Sequence, residues 1–572
     1  MNTICRKAVT SFIVNDVITD DAVPRYNDHY DFEIGDSESF LEPLKVVNVP
    51  SLPRPRTVRP REKYARFSTD SEFFKGLHVV DIRSTDKIEV GGHVLYSDYR
   101  KAMIDSSDNH SIIFGASGAR KTTLQLITTL FCIARSGENA FVSDPKGEIF
   151  DYTYGMFSRN GYRVVRINLR DMMNSWKMNP IAIIYKWYFS EDASLRTKAE
   201  NMMGDFVAGV IPEEKGNDPY WYIAAASVIL GSLYLLYNNC GDPEKINLRS
   251  LADLIRRVSE QDVMVQRYIR GLSIDNPIRV SLESVIDLPD TTRHCVTSIA
   301  IQALSNYTTQ DLVACVLGKD EIELDTFVDV KTVIFITVPD ESKTYHPLVS
   351  LFIKQAYEIL VAKADSRPTH NLPVRVNFIL DEFASFPAIK DFDSMISAAR
   401  SRGIRFLLVL QSMRQLFHAY GVNTAHDILG NCTNLVFFYS REMELLDYIV
   451  ALGGHMRNGE NLLTTSMLQR LDKDRGEAVV FHNRCFPYLS EFVMFKDWAC
   501  ADVSSEAVKP PSSFKIPSVF DFDNDRVDMK ESSAKPLTSM DWDFSNPFEQ
   551  YSEDEGSEET FDIVGILRLV DE

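Results

Sequence analysis

Short apolar runs alternate with stretches of helical spacing over most of this 572-residue chain. The apolar runs are short and end in polar residues or glycine, which is typical of strands buried in a sheet. Strands that alternate with helices predict an α/β fold, a mostly parallel sheet with helices on both faces. The predicted strands are 110–114, 140–143, 163–168, 331–338, 374–380, 404–410 and 435–439, two late strands at 477–482 and 490–495, and short strands between 76 and 100.

The pattern becomes purely helical between about 190 and 322, which predicts an all-α insertion. The helical segments are 191–210, 218–239, 248–270, 277–287 and 291–316. Residues 220–237 carry no charge, and about 18 such residues is the lower limit for a membrane span. Ser227, Gly231 and Ser232 interrupt this stretch, and no basic residue flanks it closely, so we expect a buried core helix rather than a span.

Both ends of the chain differ from this body. Residues 1–75 are weakly patterned and include a Pro/Arg stretch at 51–63, which fits a solvated linker or a contact with phosphates or an acidic membrane. Residues 503–572 are rich in Ser, Pro, Asp and Glu, and predict a disordered acidic tail. The predicted organisation is an N-terminal extension 1–75, a nucleotide-binding domain in two parts (76–189 and 323–502), the all-α domain 190–322, and the tail.

The formal net charge of −20 argues against a protein that coats nucleic acid. More than half of this excess lies in the tail, where 17 acidic residues face 6 basic ones from Glu506 onward. The eight cysteines are scattered without a C-x-x-C pair, which fits a reduced cytosolic protein without a disulfide framework or a zinc site.

One segment predicts phosphate chemistry. It begins after the first predicted strand of the sheet and reads Gly115, Ala116, Ser117, Gly118, Ala119, Arg120, Lys121, Thr122, Thr123. A strand, a glycine-rich turn, Lys-Thr and a helix form a phosphate-binding loop, in which backbone N–H groups and the helix N-terminus face the phosphates. Lys121 would reach the β- and γ-phosphates of ATP, and the Thr122 hydroxyl would bind Mg²⁺. Arg120 departs from the pattern, which has glycine there, and the alternative is an ordinary glycine turn.

A second motif strengthens the prediction. The strand at 374–380 ends in Asp381-Glu382, and in a phosphate-loop ATPase such an Asp orders the Mg²⁺ water shell while the Glu polarises the attacking water. The strand at 404–410 ends in Gln411, which could sense the γ-phosphate.

With these motifs in place, residues 90–495 resemble the TraG-type coupling proteins of type IV secretion, the conjugative DNA-transfer ATPases. Several further segments match that family in order and spacing: Asp144-Pro-Lys-Gly-Glu148, Asp218-Pro-Tyr-Trp221, Phe378-Ile-Leu-Asp-Glu-Phe-Ala384, Arg400-Ser-Arg-Gly-Ile404, Leu410-Gln-Ser412, Tyr420-Gly421 and Gly430-Asn431-Cys432.

The resemblance implies a RecA-like hexameric ATPase that uses ATP and Mg²⁺, recruits relaxase-bound single-stranded DNA and passes it to the secretion channel. It implies that Lys121 and Thr122 hold phosphate and metal, Asp381 holds the metal water, Glu382 is the catalytic base and Gln411 the sensor. Arg400, or alternatively Arg402, would be an arginine finger acting on the neighbouring subunit's nucleotide.

The family's N-terminal membrane spans have no counterpart in the sequence. We therefore expect a protein at the cytoplasmic face of the bacterial membrane. Two explanations for the missing spans stay open: the chain docks on a separate membrane-anchored partner, or the coding region is rearranged or truncated. The tail resembles acidic extensions of some coupling proteins, which implies that it binds basic accessory proteins or tunes which DNA is accepted. Phe561–Val570 could form a docking helix. A solubilising tail without a partner is the alternative.

Two other functions stay open. Arg120 could reduce hydrolysis by displacing the γ-phosphate, which would make the chain a nucleotide-bound receptor or adaptor. A double-stranded DNA pump of the chromosome-segregation type shares the RecA-like core, although the segments at 144–148 and 400–404 favour the coupling ATPase.

Overall fold

The computed structural model describes residues 64–211, 219–500 and 514–527, and a nine-stranded sheet forms its centre. The strands are β1 (His78–Asp81), β2 (His93–Ser97), β3 (Lys101–Asp105), β4 (His110–Phe114), β5 (Asn139–Ser143), β6 (Arg163–Asn168), β7 (Thr332–Thr337), β8 (Val376–Leu380), β9 (Ile404–Leu410), β10 (Cys432–Phe437), β11 (Glu477–His482) and β12 (Tyr488–Glu491). The sheet order is β12-β11-β10-β4-β9-β8-β5-β7-β6. All neighbours from β10 to β6 are parallel, whereas β11 and β12 are antiparallel, so the α/β prediction is confirmed.

Every residue of β4, β5, β7, β8 and β9 is buried, because helices cover both faces of the sheet. Successive side chains alternate between the faces. Phe141, Phe378 and Phe406 therefore meet on one face, with ring centroids 5.3 and 5.1 Å apart across β5, β8 and β9. Val142 and Ile379 belong to the hydrophobic cluster on the other face.

The helices of the α/β part lie between its strands. They are Ile127–Ser136 with a preceding π-helical turn at Thr122–Leu126, then Glu148–Arg159, His346–Asp365, Phe392–Ala399, Met413–Tyr420, Val422–Asn431, Met443–Gly453 and Thr465–Leu468. The late strand predicted at 490–495 lies earlier, at Tyr488–Glu491, because it pairs with β11 from Val480 to Glu477.

The insertion between β6 and β7 is helical throughout the part that the structure describes. Its helices are Ala182–Tyr188, Ala193–Val210, Pro219–Asn239, Leu248–Ser259, Val263–Gly271, Pro277–Ile286, Asp290–Ser305 and Gln310–Leu312, followed by a π-helical turn at Val313–Leu317. The helix predicted at 248–270 is two helices, because Gln261 has a left-handed φ of 56° and Asp262 caps the next helix. The domain boundaries themselves stay predictions.

Helix Pro219–Asn239 is the centre of the insertion and packs against Leu248–Ser259, Pro277–Ile286 and Asp290–Ser305. A Cβ at Gly231 would lie 2.6 Å from Leu282 Cγ, so glycine permits this close helix contact. By length and composition it is the one helix in the described ranges that could cross a membrane, and half of its most apolar window is buried. Asp218, which precedes it, lies outside the described residues.

Part of each predicted terminal region packs on the body. A small antiparallel sheet of order β1-β3-β2 precedes β4, and Phe73 from the short helix Asp70–Phe73 stacks on Tyr488 with centroids 4.2 Å apart. The prediction of a disordered tail is wrong for residues 514–527, because Phe520 and Phe522 are buried among the helices of the insertion. The linker 51–63, the rest of the tail and the predicted helix Phe561–Val570 lie outside the described residues.

All seven cysteines in the described ranges are free thiols.

Candidate functional site

The predicted phosphate loop lies at the carboxyl ends of adjacent parallel strands. It follows β4, and the order β4-β9-β8-β5 places Gln411, then Asp381-Glu382, then Asp144 at successive strand ends beside it. In open α/β sheets, ligands bind at this edge. The fold therefore brings together the two motifs that lie more than 250 residues apart in the sequence.

Backbone contacts hold the loop against its neighbours. Gly115 N–H donates to Leu410 O at 3.1 Å, and Ala116 N–H donates to Tyr439 O at 2.9 Å. A Cβ at Gly115 would lie 3.1 Å from Phe438 Cβ, so glycine permits the close approach to the strand end. Gly118 has a φ of 78°, the left-handed conformation that glycine adopts without strain.

Arg120 has the same left-handed backbone, with a φ of 61°. This conformation explains why the usual pattern has glycine at the position. The Arg120 guanidinium pairs with Asp474 Oδ1 at 2.6 Å and donates to Met494 Sδ at 3.5 Å. Its charge is therefore directed to residues flanking the β11–β12 hairpin.

Lys121 is 7% exposed, and its Nζ donates to Gly115 O at 2.5 Å and to Ala116 O at 3.3 Å. Burial lowers the pKa of Lys121, while the carboxylates of Glu382 and Asp381 oppose that shift. The ammonium group thus lies inside the loop, close to the acidic pair from β8.

Three carboxyl groups share this edge of the sheet. Burial, together with the adjacent Glu382 carboxylate, raises the pKa of Asp381 to about 7. Burial also raises the pKa of Asp144 to about 6, although its Oδ2 accepts the Phe150 N–H at 2.8 Å. The sequence motifs gave Asp144 no role at this site, because only the pairing of β5 with β8 places it beside Asp381.

Gln411 and Glu382 contact each other directly. Gln411 Nε2 donates to Glu382 Oε1 at 2.5 Å, so the amide orients the carboxylate predicted to be the base. Glu382 has a left-handed φ of 52°, a strained conformation of the kind that clusters at functional sites.

Glu442 fixes the chain that follows Gln411. Its carboxylate accepts the Ser412 hydroxyl at 3.0 Å and the Met413 and Arg414 N–H groups at 2.9 Å each. These bonds satisfy the N-terminus of helix Met413–Tyr420 and hold the turn in which Gln411 lies.

The two arginines proposed from the resemblance are not brought to this site. Arg400 and Arg402 precede β9, so the seven residues of that strand separate them from Gln411. At about 3.3 Å per residue this is roughly 23 Å. Arg402 donates to Ala398 O at 3.1 Å and pairs with Asp365 at 3.4 Å, whereas Arg400 is exposed.

The residues present fit a nucleotide with Mg²⁺. The loop offers backbone N–H groups, Lys121 offers a cation, and Thr122 and Asp381 offer oxygen atoms. The described ranges hold no group of three or more His, Cys, Asp or Glu that could bind a metal ion. Mg²⁺ in such sites commonly takes only one or two protein ligands beside water and phosphate oxygens, so this absence is compatible with the site.

The sequence is similar to that of a conjugation protein. "Conjugal transfer protein TraG" of Escherichia coli is 23% identical over 433 residues, which are 73% of this chain and 64% of the relative. The chain thus spans less than two thirds of the length of that relative.

Two solved structures of the plasmid coupling protein TrwB share the fold. One, in complex with the ATP analogue ADPNP, has a TM-score of 0.54 and 14% identity, and the match covers 80% of this chain and 99% of that one. The other, in complex with ADP and Mg²⁺, has a TM-score of 0.53 and 15% identity over 76% of this chain and 94% of that one.

The family model described as "Type IV secretory system Conjugative DNA transfer" matches residues 69–460, which include every strand from β1 to β10 and the whole site. The chain belongs to the type IV secretory system conjugative DNA transfer family.

Proposed function

We propose that this protein is the coupling ATPase of a conjugative type IV secretion system, which recruits relaxase-bound single-stranded DNA and drives its transfer with ATP. The observation that carries the proposal is the pairing of Gln411 with Glu382 at the strand ends beside Lys121. Membership of the conjugative DNA transfer family supports the DNA substrate and the secretion channel as partners.

In this proposal the loop binds the phosphates of ATP through its backbone N–H groups and through Lys121. Lys121 Nζ exchanges its bonds to the carbonyls of Gly115 and Ala116 for phosphate oxygens. Thr122 and Asp381 would hold Mg²⁺, and the ion would neutralise charge on the phosphates. Asp381 loses its proton for this purpose, because a carboxylate is the form that binds a cation.

Glu382 polarises the attacking water and accepts its proton. Gln411 holds the Glu382 carboxylate in one orientation and, as the sensor, couples it to the γ-phosphate position. Such positioning lets a base act without reorganisation during the reaction.

Arg400 acts on the nucleotide of a neighbouring subunit in a homo-hexamer. Its place at the amino end of β9, roughly 23 Å from Gln411, supports a role toward a neighbour rather than toward its own site. Arg402 is the weaker candidate, because Asp365 and the Ala398 carbonyl already engage it. We place the protein in the bacterial cytoplasm beside the secretion system.

The receptor or adaptor with little hydrolysis is not favoured by the geometry. It depended on Arg120 obstructing the γ-phosphate, but the Arg120 guanidinium pairs with Asp474.

The test is steady-state ATP hydrolysis with and without single-stranded DNA, for the unmodified chain, Lys121→Ala and Gln411→Ala. We expect DNA-stimulated turnover that disappears in Lys121→Ala and falls at least about tenfold in Gln411→Ala. Gln415→Ala, at an exposed position four residues later, is the matched control and should keep full turnover. ATP binding without any turnover in the unmodified chain would instead support the receptor.

A further inference from the structure

Residues 514–527 lie along the helical insertion as an extended segment that ends in a turn. Asn247 Nδ2 donates to Ser518 O at 2.9 Å, and the Val527 N–H donates to Asn239 O at 3.0 Å. Pro517 lies so close to Gly318 that a Cβ there would be 3.1 Å from Pro517 Cγ. These contacts fix the backbone of the segment at both ends.

Two aromatic side chains anchor the middle of the segment. Phe520 and Phe522 are 0% and 1% exposed. The Phe522 ring meets Tyr268 edge-on with centroids 5.6 Å apart, and the Phe520 N–H donates to Ser250 Oγ at 3.0 Å. The insertion therefore receives two rings and an intervening backbone, as a peptide-binding groove does.

Acidic residues of the segment pair with cations of the insertion. Arg257 contacts Asp523 at 2.9 Å and Asp521 at 3.1 Å, and Lys245 contacts Asp525 at 2.5 Å. Asp253 and Asp262 also pair with Arg257, at 3.3 and 3.2 Å, so its guanidinium is held in place by the insertion itself. We call Lys245, Asn247, Ser250, Arg257 and Tyr268 the FDFD groove, after the residues 520–523 that fill it.

The sequence that fills the groove recurs in the tail. Lys515, four residues, then Phe520-Asp521-Phe522-Asp523 is followed 20 positions later by Lys535, four residues, then Met540-Asp541-Trp542-Asp543. The shared pattern is a lysine, a large apolar residue, Asp, an aromatic residue and Asp. The groove contacts four of these five positions: Ser250 contacts position 520, Tyr268 contacts 522, and Arg257 contacts 521 and 523. The partner of Lys245, Asp525, is replaced by Ser545 in the second copy.

We propose that the FDFD groove is a recognition site for apolar-Asp-aromatic-Asp peptides, and that residues 535–543 of the tail are its second ligand. The groove then binds either of two segments of the same tail, and exchange between them changes which part of the acidic tail is held on the insertion. This inference does not depend on ATP hydrolysis, so it and the proposed function can fail separately.

The test uses the full chain with Phe520→Ala, Phe522→Ala, Met540→Ala and Trp542→Ala, which removes the apolar anchors of both tail segments and so vacates the groove, and a fluorescein-labelled peptide of residues 533–546 with the natural sequence. We expect saturable binding by fluorescence anisotropy and competition by an unlabelled peptide of residues 514–527. Replacing Asp541 and Asp543 of the peptide with Asn should weaken binding at least about tenfold, because both lose their ion pairs with Arg257. Adding Arg257→Ala to the vacated chain should weaken binding to a similar extent.

A second measurement covers the case in which this variant does not fold. In the unmodified chain, a 533–546 peptide with a photoreactive group at position 542 should crosslink to the helix that contains Tyr268, and excess 514–527 peptide should suppress the crosslink. Binding of the 514–527 peptide alone would show that residues 535–543 are not a second ligand of the groove. Binding of neither peptide would make the segment a fixed part of the fold, and equal binding of the Asn peptide would show that recognition does not use the acidic pattern.

Discussion

Arg120 allows a test in which glycine should stabilise a protein more than alanine. At ordinary positions the order is reversed, because glycine costs roughly 0.5–1 kcal/mol relative to alanine through backbone entropy. At a φ of 61°, however, any residue with a Cβ carries a cost of about 1–2 kcal/mol that glycine lacks. Both Arg120→Gly and Arg120→Ala remove the same ion pair with Asp474, so their difference isolates the backbone term.

The magnitude follows from these numbers. The partly exposed Arg120–Asp474 pair contributes at most about 1 kcal/mol, and that loss is common to both variants. The strain and entropy terms leave Arg120→Gly more stable than Arg120→Ala by roughly 0–1.5 kcal/mol. The assay is urea unfolding followed by tryptophan fluorescence, read as the difference between the two variants.

The matched control is Arg256, which lies in helix Leu248–Ser259 and also pairs with an aspartate, Asp253. There Arg256→Ala should be more stable than Arg256→Gly by about 1 kcal/mol. If Arg120 shows the same order as Arg256, the left-handed backbone at position 120 does not limit stability and the reasoning is refuted.

The same variants test catalysis. Because the Arg120 guanidinium is directed to Asp474, Arg120→Gly should change ATP turnover by less than about threefold. A tenfold or greater gain in the turnover of Arg120→Gly would mean that Arg120 obstructs the γ-phosphate, and it would support the receptor hypothesis.

Three further predictions concern the site. Glu382→Gln should bind ATP normally, as measured by filter binding. It should lose at least about a hundredfold in turnover, measured by phosphate release, because the amide cannot accept a proton. Unchanged turnover would show that Glu382 is not the base. Mg²⁺-dependent nucleotide binding should weaken as the pH falls through about 7. The raised pKa of Asp381 leaves its carboxyl protonated below that value, so that a proton competes with the cation. A Mg²⁺ affinity that stays constant between pH 6 and 8 would contradict this assignment. Arg400→Ala should abolish ATP turnover, while Arg402→Ala should retain most of it. Mixing the Arg400→Ala and Glu382→Gln proteins should restore turnover only if Arg400 acts on the nucleotide of a neighbouring subunit. No recovery in the mixture would argue against an arginine finger that acts between subunits.

Local sequence patterns were sufficient to predict most strands of the α/β part. The strands at 163–168, 404–410 and 477–482 have the predicted bounds, because a short apolar run between polar residues has few other stable conformations in a globular protein. The two halves of the helix predicted at 248–270 were not separated, since the break depends on one left-handed residue, Gln261, that no apolar spacing reveals.

At the site, too, the sequence was sufficient to predict some features and not others. The motifs around Lys121 and Asp381-Glu382 were visible because the chemistry of phosphate and metal binding demands particular residues at close spacing. Asp144 was not recognised as a neighbour, because only the pairing of β5 with β8 places the two strand ends side by side.

The sequence by itself determined the alternation of strands and helices, the phosphate loop and the acidic pair, since each depends on residues near one another in the chain. Only the tertiary structure decided that Gln411 lies between the two motifs and donates to Glu382, and that Arg120 pairs with Asp474, 354 positions away. It also decided that Phe520 and Phe522 are buried within a stretch whose composition predicts disorder. The physical reason is that burial and charge pairing are settled by surfaces contributed from distant parts of the chain, which local composition and periodicity do not contain.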